Sequence, residues 1–307
     1  MNGVIGMSSL LLDTPLTSRQ RDMAQVIVNS GENLLTIIND ILDFSKLEAG
    51  KMTLAAEPFD LRAAVEDVIA LLSLNIQEKG IELMLHYEPS LGARFIGDAG
   101  RIRQVVTNLL GNAVKFTDSG HILVSVRGKR RGESADVEIV VEDTGCGIPA
   151  EKLESIFEAF EQADNSSARR HDGTGLGLAI TRKLVNAMNG KIAATSIVGA
   201  GSRFIVDLKI AIDETARGAV ASFEDLVGVT ALVVDDIAVN REILCEQHAA
   251  WGIKSSAFSD AAAALAAAKQ QGDEGRPFDI AILDQQMPGV DGIKLACRMR
   301  QDAGVRD

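Results

Sequence analysis

The chain has 307 residues, an apolar fraction of 46% and a formal net charge of −12. That length predicts two or three domains, the apolar share is ample for real cores, and the negative charge argues against a nucleic-acid surface. Trp and Tyr occur once each, so the cores are expected to be aliphatic, and no apolar run approaches the length of a membrane span. Cys146, Cys245 and Cys297 lack metal-ligand spacing and fit reduced thiols of a cytoplasmic chain; no signal peptide is visible.

Residues 1–50 read as a helical hairpin that turns at Thr14-Pro15 and Thr17. Beyond the turn, Met23, Ile27, Leu34, Ile37, Ile41 and Phe44 follow a heptad-like spacing. Ala24, Val28, Leu35, Ile38 and Leu42 form an adjacent row. Two rows make an apolar stripe wider than one hairpin covers, so a four-helix bundle built by two chains is expected. Packing onto the chain's own next domain is the alternative. Ala49-Gly50 is a helix stop.

Residues 51–212 read as a mixed α/β segment. Phe59-Asp60-Leu61 leads into a helix to about Lys79, with Asp60 as its N-cap. Ile81–Tyr87 alternates like a strand, and a helix follows over 98–115. Ile122–Arg127 and Val137–Glu142 read as strands around a polar loop over 127–136. Leu178–Met188 reads as a helix stopped by Asn189-Gly190. Ile192–Ser196 and Arg203–Ile210 read as a closing hairpin around Gly199-Ala-Gly201. Strands and helices do not alternate strictly, which favours an α+β sandwich over a doubly wound sheet.

Residues 213–228 are expected to be a linker, and over 229–307 the pattern becomes βαβαβα. Ala231–Val234 is a fully apolar strand that ends at Asp235-Asp236, Phe278–Leu283 is a second that is apolar apart from Asp279 and ends at Asp284, and Ser255–Phe258 is a short strand. Helices are expected over 238–251, Ala261–Gln270 and Gly292–Gln301. Fully apolar short strands predict a parallel sheet buried on both faces. Carboxylates at strand C-terminal ends sit where such sheets build their sites.

Three segments of the middle region belong together. In Asn108-Leu-Leu-Gly-Asn112 the asparagines offer uncharged oxygens to a hard cation such as Mg²⁺, and Asn108, Asn112 and Lys115 share one helical face. In Asp143-Thr-Gly-Cys-Gly-Ile-Pro149 the carboxylate can accept a hydrogen bond from an exocyclic amine such as that of adenine. There, and in Gly173-Thr-Gly-Leu-Gly177, glycines let backbone N–H groups approach phosphates. The three read as one nucleotide pocket. A dinucleotide-binding reading of the last segment fails, because no apolar strand precedes it and no acidic residue follows at the required distance.

The region 57–212 resembles the ATP-binding catalytic domain of sensor histidine kinases, within the wider fold shared with gyrase and Hsp90. Asp98-x-x-Arg101-x-x-Gln104-Val-x-x-Asn108-Leu-x-x-Asn112-Ala-x-Lys115-Phe116-Thr matches that family's N box. Asp143-x-Gly145-x-Gly147 matches its first glycine box, Phe157-Glu-Ala-Phe160 its phenylalanine box, and Gly173-x-Gly175-x-Gly177 its second glycine box. The resemblance implies that Asn112 ligates Mg²⁺, Asn108 supports it, Lys115 reaches the phosphates and Asp143 reads adenine. It also implies that Gly145, Gly147, Gly173, Thr174, Gly175, Leu176 and Gly177 line the ATP. The two phenylalanines are expected either in the core or as an anchor for a lid. The long polar stretch between the glycine boxes, including 162–168, is expected to be that lid.

The first segment is similar to the dimerisation and phosphoacceptor hairpin of the same kinases. Met1-Asn-Gly-Val-Ile-Gly6 resembles the sequence after their His-Glu-x-Arg-Thr-Pro motif, and Phe44-Ser-Lys-Leu-Glu48 the end of their second helix. This implies a homodimer and places the phosphoacceptor histidine before Met1, so the chain is expected not to phosphorylate itself. His86, His121, His171 and His248 read as structural or surface residues. The third segment resembles a flavodoxin-like response-regulator receiver through Asp235-Asp236 and Asp284-x-x-Met-Pro-Gly-x-Asp-Gly292. The resemblance implies that Asp284 accepts phosphoryl while Asp235, Asp236 and Asp284 hold Mg²⁺. It further implies an incomplete domain that leaves Ile280–Leu283 at an open sheet edge.

The expected whole is a fragment of a hybrid sensor histidine kinase that uses ATP and Mg²⁺. It would move the γ-phosphoryl to a bundle histidine and then to Asp284, by positioning and charge neutralisation. A downstream phosphotransfer or response-regulator protein is the implied partner, and sensor domains or a membrane anchor would lie upstream. One alternative is an ATPase of the gyrase or Hsp90 kind, but those families place a Glu where Asn108 stands, and Asn cannot act as that base. The other is a non-enzymatic dimeric scaffold or phosphoryl sink.

Overall fold

A computed structural model describes residues 1–161, 175–215, 224–285, 287 and 290–301. The chain divides into two units, Met1–Asp213 and Glu214–Asp307.

The first unit opens with α1 (Asn2–Leu12) and α2 (Ser18–Glu48). α2 starts at Ser18 because Thr17 closes a capping box. Thr17 Oγ1 accepts the Gln20 N–H, while Gln20 Oε1 accepts the Thr17 N–H at 3.0 Å. α1 packs on the first half of α2 and buries Ala24, Val28 and Gly31. Ile5 lies so close to Gly31 that any side chain there would collide with it. The rest of the stripe stays open: Met23, Ile27, Leu34, Ile38, Ile41 and Leu42 are exposed.

A seven-stranded sheet follows, built from β1 (Glu57–Asp60), β2 (Glu82–Tyr87), β3 (Arg94–Gly97), β4 (His121–Arg131), β5 (Ser134–Asp143), β6 (Lys191–Ile197) and β7 (Gly201–Ile212). The order is β1-β3-β7-β5-β4-β2, with β6 also on β7; β2 and β4 are parallel and the other pairs antiparallel. Ile122, Val124 and Val126 of β4, Val137, Ile139 and Val141 of β5, and Phe204, Val206 and Leu208 of β7 are buried at every second position. They share one core with the apolar faces of α3 (Leu61–Lys79), α4 (Ala99–Phe116) and α5 (Gly177–Ala187). α3 starts at Asp60, whose Oδ1 accepts the Ala63 N–H at 2.8 Å, and ends at Gly80 in the left-handed region.

Residues 127–136 are not a loop: β4 and β5 stay paired out to Arg131 and Ser134. The charges that suggested a solvated turn fall in complementary register, Arg127 opposite Glu138 and Lys129 opposite Asp136, while Gly132 supplies the positive φ of a two-residue turn. The four-residue strands β1 and β3, which pair with each other, were not legible in the sequence.

The second unit holds a parallel sheet in the order β10-β8-β9, formed by β8 (Thr230–Val234), β9 (Lys254–Phe258) and β10 (Ile280–Leu283). Its helices are α6 (Ala238–Ala250), α7 (Ala261–Asp273) and α8 (Gly292–Gln301). Leu232 and Val234 share a core with Ala264, Ala268, Leu295 and Met299. β8 is buried from Ala231 to Val234, as its apolar run predicts. β10 is not buried on both faces: it pairs only with β8 among the described residues, and Ile280 is 42% exposed. No described helix is long and apolar enough to cross a membrane.

Candidate functional site

Asn108, Asn112 and Lys115 occupy the half-exposed face of α4, whose other face buries Val105, Val106, Leu109, Leu110 and Ala113. Asp98 starts this helix, its Oδ1 accepting the Arg101 N–H at 3.0 Å. The Asn108 side chain does more than its spacing predicts. Its Nδ2 donates to the Gly177 carbonyl and to Thr181 Oγ1, both at 3.1 Å. The Thr181 hydroxyl in turn donates to the Gly177 carbonyl at 2.8 Å. One amide thus joins α4 to the first turn of α5, 69 residues away in sequence.

Asp143 ends β5 and is 6% exposed. Its Oδ1 accepts the Gly145 N–H at 2.8 Å, which curls the chain into the glycine loop. Burial pushes its carboxyl above the usual range, opposed by the Gly145 and Ser202 N–H groups. The loop is tied on two sides. The Cys146 N–H donates to the Phe116 carbonyl at the end of α4 (3.3 Å), and the Cys146 carbonyl accepts the Gly199 N–H of the β6–β7 turn (2.8 Å). Gly147 is obligatory: its φ is +73°, and a Cβ there would meet the Ile197 carbonyl.

Of the second glycine box, Gly175, Leu176 and Gly177 are described; Gly173, Thr174, the expected lid and His171 lie outside the described residues. Leu176 is buried and Gly177 is the first residue of α5. The phenylalanine box divides. Phe157 packs edge-on against Phe204 in the core, with their centroids 6.4 Å apart. Phe160 holds its ring out at 70% exposure, on a backbone with φ of +67° whose N–H donates to the Gly175 carbonyl at 3.0 Å. His86 and His248 are buried, beside Arg127 and Ser255 respectively.

Arg101 and Gln104 carry the N-box pattern, yet they reach the hairpin. Arg101 Nη1 and Gln104 Nε2 both meet Asp43 Oδ2, at 2.8 and 3.0 Å. Lys183 of α5 pairs with Glu48 at 2.6 Å and stands 4.8 Å over the Phe44 ring. Phe44, Leu47 and Met52 pack against the core of the sheet. The end of α2 is therefore docked on α4 and α5. Residue spacing within α4 could not reveal this, because the partner lies about 60 positions upstream.

In the second unit, Asp235 and Asp236 follow β8 and Asp284 follows β10, and one carboxylate oxygen from each lies within 4.8 Å of the others. Asp235 Oδ1 accepts the Ile237 N–H at 2.8 Å. Its carboxyl is pushed up first by burial and further by the charges of Asp284 and Asp236. Asp236 Oδ1 is buried with no hydrogen-bond partner among the described residues. An orphaned buried oxygen in a cluster of three carboxylates fits a hard divalent cation, which would satisfy the oxygen and remove the repulsion. Pro288 and Gly289 of this motif lie outside the described residues.

Three family models match the chain. Residues 1–50 match the His Kinase A phospho-acceptor domain, 97–212 the histidine kinase-, DNA gyrase B- and HSP90-like ATPase, and 231–306 the response regulator receiver domain. The sensor histidine kinase AruS of Pseudomonas aeruginosa is 38% identical over 302 residues, which are 98% of this chain and 30% of AruS. The sensor protein TorS of Escherichia coli is 38% identical over 306 residues, 97% of this chain and 32% of TorS. The solved structure of full-length ShkA in complex with AMPPNP superimposes with a TM-score of 0.71 at 28% identity, covering 100% of this chain and 69% of ShkA. The chain belongs to the hybrid sensor histidine kinases. It spans about a third of the length of AruS and TorS.

Proposed function

We propose that this chain is the phosphoryl-transfer portion of a hybrid sensor histidine kinase, organised as a dimerisation and phosphoacceptor hairpin over 1–50, an ATP-binding domain over 57–212, a linker over 213–228 and a receiver over 229–307. The bond from Asn108 to Gly177 and Thr181 carries the reading. It brings the N-box helix and the end of the second glycine box to one place, with the Asp143 loop tied to the same helix through Phe116.

In this reading Asp143 accepts the adenine amine, the glycine loops give backbone N–H groups to phosphate, and Lys115 neutralises phosphate charge. Asn112 would hold Mg²⁺, which supplies charge neutralisation on the phosphates when bound. Asp235, Asp236 and Asp284 would hold a second Mg²⁺, with Asp284 as the phosphoryl acceptor. ShkA, a 28% identical structure crystallised with AMPPNP, supports the nucleotide assignment. The ATPase alternative gains nothing: Asn108 has no proton-accepting role of the needed strength, and its amide is committed to α5.

Asn112→Ala is expected to weaken Mg·ATP binding by about 10–100-fold, as loss of a metal-site group does, and to erase the difference between Mg²⁺ and EDTA in calorimetric titration. Equal affinity in the two chains would instead favour a scaffold with an idle pocket. For the hairpin, we propose that the open stripe is covered by a second copy. Ile27→Glu, in the exposed part of that stripe, is expected to convert a dimer into a monomer in sedimentation equilibrium.

A further inference from the structure

The C-terminal end of α4 is closed by a residue that no nucleotide motif contains. The last carbonyls of a helix lack intrahelical partners, and here each has been given one. The Ala113 carbonyl accepts the Thr117 N–H at 3.0 Å, and the Phe116 carbonyl accepts the Cys146 N–H at 3.3 Å. The Val114, Lys115 and Thr117 carbonyls all accept from one atom, Lys79 Nζ, at 2.6, 3.2 and 3.1 Å. An ammonium has three N–H donors, so all three are committed. Its charge also sits at the negative end of the α4 dipole. Lys79 itself is set in place by the end of α3, where Gly80 turns left-handed and the Gly80 and Ile81 N–H groups close onto the Gln77 and Ile76 carbonyls.

We infer that Lys79 is a positioning residue for nucleotide binding: it holds the end of α4 so that Lys115 and the Asp143 glycine loop stand in register. The inference rests on the nucleotide reading above. Lys79 reaches the loop through backbone alone. The Phe116 carbonyl that receives Cys146 lies between two carbonyls gripped by Lys79, and it stands so near Gly145 that a Cβ on Gly145 would strike it. Release of the helix end therefore displaces the lysine meant for phosphate and the loop meant for adenine together.

The test measures affinity for a non-hydrolysable ATP analogue with Mg²⁺, alongside thermal melting, in the unsubstituted chain, Lys79→Met, Lys79→Arg and Val68→Ala. Val68 is a buried α3 residue outside the site, included as a stability control. Lys79→Met is expected to bind about tenfold more weakly while still folded, the scale of losing a charge-assisted hydrogen-bond set. Val68→Ala is expected to melt lower with unchanged affinity. Lys79→Arg keeps the charge but cannot aim three N–H groups from one nitrogen, so an intermediate loss of about threefold and faster amide exchange at Cys146 are expected. Should Lys79→Met fail to fold, Lys79→Arg decides. Unchanged affinity in the folded Lys79 variants, or an equal loss in Val68→Ala, would overturn the inference and leave the pocket standing. No binding by the unsubstituted chain would overturn both.

Discussion

Asp143→Asn is expected to weaken ATP binding by roughly 10–100-fold, the equivalent of about 1.5–3 kcal/mol for a hydrogen bond to a charged acceptor. Asparagine retains the oxygen that receives the Gly145 N–H, so the loop keeps its turn. What changes is the second position, where an amide N–H₂ would face the adenine amine, donor against donor. The preference for ATP over ITP, which lacks that amine, should shrink in parallel. The pH dependence follows from burial. Because the folded carboxyl is pushed above its ordinary value, the folded chain keeps its proton to higher pH than the unfolded chain does. As pH rises through that window, the buried carboxylate costs stability; as pH falls through it, nucleotide affinity is lost with the acceptor. Asp143→Asn should flatten both profiles. A substitution that lowered apo stability but spared ATP affinity would count against adenine recognition by Asp143.

The second large effect is expected in the receiver unit. With no cation, the three carboxylates of Asp235, Asp236 and Asp284 repel one another across less than 4.8 Å. That repulsion is on the order of 1–3 kcal/mol at the effective dielectric of a half-buried site. Mg²⁺ should therefore stabilise this unit by about 2.7 kcal/mol once the ion exceeds its dissociation constant a hundredfold, read as a higher urea midpoint. Asp236→Asn is expected to have opposite effects in the two conditions. It should stabilise the metal-free unit by removing one repelling charge and abolish the Mg²⁺ response. Sodium at equal ionic strength is the control. An identical response to sodium would mean charge screening and no built site.

The docking of α2 on α4 and α5 gives the N box a meaning that its residue types do not announce. Arg101 and Gln104 lie in the same helix and the same motif as Asn108 and Asn112, and the motif match gave the first two no role. The structure separates them: two reach Asp43 on the hairpin, and Asn108 reaches α5. One helix thus touches both the hairpin and the first turn of α5.

What the sequence determined by itself was whatever short-range chemistry encodes. Thr17 with Gln20, Asp60 before Leu61, and Gly80 after Lys79 set helix ends, because capping needs only neighbours within four residues. The alternation of Val124 and Val126, and of Val137, Ile139 and Val141, set the buried face of the sheet. The Asn, Asp and Gly segments matched the family's motifs because each motif is written in residue types at short spacing. Only the tertiary structure decided the rest. Residues 127–131 and 134–136 became strand because the β4–β5 ladder continues out to a two-residue turn at Gly132, where φ is positive. Glu57–Asp60 and Arg94–Gly97 became strands because each found the other, although neither is long enough to carry a period. Lys79, Thr181 and Asp43 reached α4 through bonds to carbonyls and side chains 35 to 73 residues away, and a hydrogen bond at that separation leaves no pattern in a local window.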